Sequence, residues 1–235
     1  LLEKVFAELD LREDIEAQAI VGQELAFFPL LDKKKRKLVL FDTMATDPEL
    51  FNQAIQLVFK SSKETENAQS TTDGKSPGRL AYSVLSGFRK LPGHTEQDVD
   101  AEKLSLWVDA ARRLGEESGH SVITDIYVGH LFAHAPLDED GGWPHRVVRD
   151  EIERIGSDDL QRGIYTERRN MRGVTTRGVY DGGDQERELS AKYEFRQSKA
   201  SLWPRTSALL GALAESWKRD AEDHDVDAEQ RKLKS

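Results

Sequence analysis

The chain has 235 residues, 33% of them charged, a formal net charge of -9 and no cysteine. That length buries a core without covalent staples, and the missing thiols exclude disulfides, thiolate metal sites and cysteine nucleophiles. The acidic balance argues against global nucleic-acid binding, and no apolar run reaches the ~20 residues of a membrane helix.

Helical periodicity dominates from the first residues. Residues 1–4 (LLEK) include no initiating methionine, and Leu2, Val5, Phe6 and Leu9 already form a helical stripe, so the chain reads as a segment of something longer. Asp10 is placed to cap a helix carrying Ile15, Ala19 and Leu25 that ends near Pro29. Residues 33–37 (KKKRK) lead into a short helix to about Ala45; the basic run reads as a solvated face, with nuclear import as its alternative. Asp47-Pro48 combines a capping acid with proline at the first helical position, and Phe51, Ala54, Ile55 and Val58 follow on one face.

Residues 61–78 contain Ala68 as their one aliphatic side chain, too little burial to offset ordering entropy, which predicts a polar, flexible linker. Beyond it, Leu80, Val84, Leu85 and Phe88 open a second block. Asp100 caps the next predicted helix, with Leu104, Trp107, Val108, Ala111 and Leu114 as its stripe and Gly119 as its left-handed terminus. A helix over 122–134 stops at Pro136, Trp143-Pro144 opens another, and Ser157 caps a third with Asp158 and Asp159 in its first turn. Asp184 is expected to cap a helix bearing Leu189 and Tyr193. Trp203-Pro204 opens the last, and the acidic stretch from Asp220 to Glu229 is expected to fray. No strand is convincing, because residues 174–176 (VTT) are too few.

The expected fold is therefore all-α, an irregular stack of helical hairpins with roughly nine or ten helices. The expected organisation is an N-terminal helical block at 1–60, the linker at 61–78, a C-terminal block at 79–225 and a charged tail at 226–235.

The strongest chemical lead lies within 162–183. Between Arg162 and Arg177 the sequence holds five arginines and one acid, Glu167. Arg168, Arg169, Arg172 and Arg177 form a candidate anion- or partner-binding surface, because guanidinium forks bind phosphate and carboxylate bidentately. Gly173 and Gly178 would let backbone amides approach. The competing reading is a long connection whose arginines pair with Glu167, Asp181 and Asp184.

His130 and His134 stand four apart, a spacing at which two imidazoles share a metal, but HLFAH lacks the glutamate of a zinc-protease helix. Packed histidines beside Ile123, Ile126 and Tyr127 are the plainer reading. Residues 138–142 (DEDGG) resemble part of a calcium loop, yet the twelfth position from Asp138 is Arg149 where a bidentate glutamate belongs. Gly74-Lys75-Ser76 follows no strand and has Gln69 where a phosphate-binding loop has its first glycine, and no GxSxG elbow is present.

Three segments carry a resemblance: GGWPHRVVRDEIERIGSDDLQRGIY, NMRGVTTRGVYDGGDQERELSAKY and WPRTSALLGALAESWKRDAE. They resemble the C-terminal helical region of long, poorly characterised bacterial proteins, as do residues 27–31 (FFPLL) and 47–51 (DPELF). The resemblance implies a helical appendage with any enzymatic domain upstream, and it transfers no catalytic residue. The expected function is a non-catalytic, cytoplasmic scaffold or sensor module. It needs no cofactor and contacts other domains of its polypeptide or a protein partner, away from membranes. The alternatives are nucleic-acid or nucleotide-phosphate binding through 162–183, and a metal-dependent hydrolase built on His130 and His134.

Overall fold

The computed structural model describes residues 17–31, 37–61, 77–95, 98–178 and 181–234. The N-terminal stripe, the Asp10 cap, residues 33–36 of the basic run, residues 62–76 of the polar segment and the Gly74-Lys75-Ser76 echo lie outside them. The protein is all-α: the described residues form ten helices and no strand, with one isolated antiparallel bridge between His94 and Val99. None of these helices is long and apolar enough to cross a membrane.

Contacts divide the chain into two compact units, Leu1–Thr124 and Asp125–Ser235. The division falls elsewhere than the polar segment at 61–78, because the helices flanking that segment pack on one another within the first unit.

In the first unit, α1 (Ala17–Leu31), α2 (Val39–Met44), α3 (Pro48–Val58), α4 (Pro77–Gly87) and α5 (Ala101–Ser118) surround an aromatic core. The α1 helix continues through Pro29 to Leu31, two residues past the expected stop. Phe51 lies 5.1 Å from Trp107 and 6.1 Å from Phe88, and Phe88 stacks on Phe41 at 5.9 Å. Tilted and offset arrangements of this kind suit the ring quadrupoles. The indole of Trp107 donates to the Met44 carbonyl at 2.9 Å, which satisfies a C-terminal group of α2.

The helix caps come in two kinds. Asp47 accepts from the Glu49 amide and Asp100 from the Lys103 amide, as their spacing predicts. Gly119 closes α5 at φ 78°. The start of α2 has no capping side chain of its own. Buried Glu24 of α1 accepts instead from the amides of Val39 (3.1 Å) and Leu40 (2.7 Å), placing a negative charge at the positive end of the helix dipole.

The second unit contains the end of α6 (Ser121–Ala133), then α7 (Arg146–Ile155), α8 (Asp158–Asn170), α9 (Asp184–Lys199) and α10 (Pro204–Lys234). Helices α9 and α10 form an antiparallel hairpin. Gly183 meets Ala221, Ser190 Oγ donates to the Ala214 carbonyl, and Gln197 meets Gly211. The stretch from Asp220 to Glu229, expected to fray, lies within α10, as do residues 226–234 of the charged tail.

Two more caps are borrowed. Glu153 of α7 accepts from the amides of Arg205 and Thr206 at the start of α10. The N-cap of α9 is Gly183, with Asp184 as its first helical residue, and the Gly183 amide donates to Asp225 of α10 at 2.8 Å. Trp143-Pro144 stands two residues ahead of α7, whose N-cap is His145. Helices α6 and α8 meet through Gly129 and Gly163. A Cβ on Gly129 would stand 3.0 Å from the Gly163 Cα, and a Cβ on Gly163 would meet the Ile126 backbone.

Candidate functional site

The arginine-rich segment divides between a helix and a loop. Arg168 and Arg169 occupy the last turn of α8, where cations suit the negative end of the helix dipole. Arg172 and Arg177 stand in the connection to α9, residues 171–183.

Each guanidinium is engaged internally. Arg168 donates to the Tyr193 hydroxyl (2.9 Å) and the Ala133 carbonyl (3.1 Å) and lies 4.4 Å from the Trp143 ring centre. Arg169 pairs with Asp220 at 2.7 Å and covers Trp217 at 3.8 Å. Arg172 and Arg177 converge on Glu186, the latter at 2.6 Å, with His224 at 3.7 Å. The partners are therefore Asp220 and Glu186 rather than Glu167, Asp181 and Asp184. Glu167 bonds His134, Asp181 accepts from the Gly178 amide, and Asp184 pairs with Arg187.

Glu186 anchors this loop and is fully buried. Burial pushes its carboxyl pKa up, but the hydrogen bonds from Arg177 and Arg172 outweigh that and hold it below the ordinary glutamate value. Together with Asp181 on Gly178 and Asp225 on Gly183, it braces both ends of the loop. Between those braces, residues 173–176 are exposed and Val174 is wholly so. Gly173, at φ 67°, has open space where a Cβ would be.

The histidine pair is also accounted for. His134 lies 3.0 Å from Glu167, and His130 packs on the Tyr127 ring at 4.9 Å. Burial lowers the His130 pKa, against the pull of Glu167, and His134 lowers it further. Among the described residues no three His, Asp or Glu side chains are grouped to hold a metal.

The acidic loop at 138–142 has a cation of its own. Arg149, entirely buried, reaches Asp140 at 3.3 Å and Asp138 at 3.5 Å, and donates to the Pro144 carbonyl at 2.6 Å. Arg146 adds a 2.9 Å contact to Asp138. The residue that spoils the calcium pattern is thus the one that neutralises the loop.

Sequence reasoning missed Arg196, which is 7% exposed on α9. Its guanidinium lies 5.3 Å from the Trp143 ring and 5.2 Å from the Tyr193 ring. Its spacing of three from Tyr193 and four from Lys192 was the available signal.

The fold and these sites define an all-α protein in which arginines stack on buried aromatic rings. No known protein family, curated protein or solved structure matches the chain.

Proposed function

We propose that the protein is a non-catalytic helical module, part of a larger cytoplasmic bacterial protein, that serves as a scaffold or sensor surface for protein contacts. The contact surface is the tip of the α8–α9 loop, Met171 and residues 173–176. One observation carries this reading: the loop is braced from within at Arg172, Arg177, Gly178 and Gly183, while its tip is bare. Bracing removes conformational entropy before binding, which is how a preorganised loop gains affinity. An exposed valine and a methionine that is 44% exposed offer the partner an apolar contact. The resemblance to C-terminal regions of long bacterial proteins supports the module reading. The internal pairing of Arg169, Arg172 and Arg177 favours a protein partner over nucleic acid, whose phosphates need free cations.

The test is photo-crosslinking in the native host from position 174, with exposed Leu106 as control position, followed by affinity measurement on the purified partner. The expected result is a discrete protein adduct from position 174 alone and about tenfold or more weaker binding for Val174→Asp. An unchanged affinity in Val174→Asp, with the fold retained, would overturn the assignment.

A further inference from the structure

Two guanidiniums flank the buried Trp143–Tyr193 pair, whose rings meet edge to face at 6.4 Å, and a third cation, Lys192, stands beside Tyr193 on the same helix. Lys192 and Arg196 stand one turn apart on α9, and Arg168 reaches the same rings from α8. Like charges at this spacing repel. In a chain with 43 acidic residues, no described carboxylate forms an ion pair with any of the three.

Arg196 makes the imbalance plain. It is 7% exposed, and its NH1 nitrogen is buried with no hydrogen-bond acceptor among the described residues. A buried cation without a counter-ion is costly, and ring faces offset only part of that, about 0.5–2 kcal/mol each. The same strain shows in the titration of the group and its neighbour. Burial and then Arg168 disfavour the charged form of Arg196, only partly opposed by the charge of Tyr193 and a hydrogen bond with it, while Arg196, burial and Arg168 in turn lower the pKa of Lys192.

We infer that Arg168, Lys192 and Arg196 form a binding site for a small phosphate dianion, free or as the terminal group of a phosphate ester. Three cations exceed what a single carboxylate neutralises. Arg196 Nη1, which has no acceptor among the described residues, and Arg168 Nη2, the terminal nitrogen left over once Nε and Nη1 are bonded to Tyr193 and Ala133, supply the directional donors that phosphate oxygens take, and Lys192 a point charge. Lys192 is exposed and Arg168 half-buried, so they form the rim through which the anion arrives and Arg196 the floor. The rings shield the floor from water, which strengthens each charge interaction there. This site lies apart from the loop tip and stands whether or not that tip docks a protein.

Titration calorimetry on the whole chain at constant ionic strength tests it, with inorganic phosphate and glycerol 3-phosphate as separate probes and chloride as the balancing anion. The expected result is saturable one-to-one binding. Exposed Lys192→Gln should keep the fold and bind about tenfold more weakly, and Arg196→Met should bind neither probe. Tighter binding of the ester than of the free ion identifies an ester ligand, and the reverse identifies free phosphate. The inference is overturned if neither probe gives saturable heat, or if Lys192→Gln and Arg168→Gln both bind as the unaltered protein does.

Discussion

Replacing Glu186 by alanine tests the loop anchor most directly. The carboxylate is fully buried and receives Arg172 and Arg177, whose side chains are only 16% and 19% exposed. Removing it leaves two largely desolvated cations facing one another, the arrangement in which breaking a buried pair costs about 3–5 kcal/mol. The partial exposure of the arginines argues for the lower end, about 3 kcal/mol, or roughly 10 °C in the melting midpoint of a domain this size. Urea and thermal unfolding, followed by circular dichroism, measure it.

A second arm uses pH. The folded carboxyl titrates below its ordinary value of 4.5. Its stabilisation is therefore complete above the unfolded pKa and is lost as pH falls through the folded one. Glu186→Gln should remove that part of the acid dependence and leave a flatter curve below pH ~4.5. A midpoint for Glu186→Ala within 2 °C or so of the unaltered protein would refute the anchor, as would an acid limb in Glu186→Gln identical to the parent's.

Two further predictions concern packing. Gly163→Ala drives a methyl group into the Ile126 backbone at the α6–α8 crossing, so it should cost about 2–3 kcal/mol by overpacking, read as a fall in the urea midpoint. Arg149→Ala leaves Asp138 and Asp140 without their buried cation. It should lower stability by about 3 kcal/mol or more, measured by the same unfolding curves, and added calcium should not restore the loss.

What the sequence revealed and what it hid follow the range of the interactions. Asp47, Asp100, Ser157 and Gly119 act on amides or carbonyls a few positions away, so spacing alone disclosed them. Glu24, Glu153 and Asp225 cap helices from 15 to 53 positions away, and nothing in their neighbourhoods marks them as caps. Asp184 was the natural local candidate for α9, but it is the first helical residue, and the cap position falls to Gly183, which lies against the Ala221 backbone where no side chain fits.

The arginines obey the same rule. That Arg169, Arg172 and Arg177 would find acids was legible, but the nearest acids in sequence, Glu167, Asp181 and Asp184, are each engaged elsewhere. Asp220 comes into reach because α10 packs beside α8, and Glu186 because the loop folds back on the first turn of α9. Arg149 and Arg196 were hidden for a different reason. An arginine in a helix reads as surface until the elements around it are placed, and both lie inside.

Arg149 also changes how its acidic loop responds to the surroundings. A loop that takes a metal ion is occupied according to the free ion concentration and empties when a chelator removes it. Here the positive charge is tethered to the same polypeptide, nine residues from the nearer of the two carboxylates it serves, at a stoichiometry of one that dilution cannot alter. The geometry ahead of α7 is accordingly indifferent to calcium supply, and the turn that a sensor would use as its switch is fixed as a permanent joint.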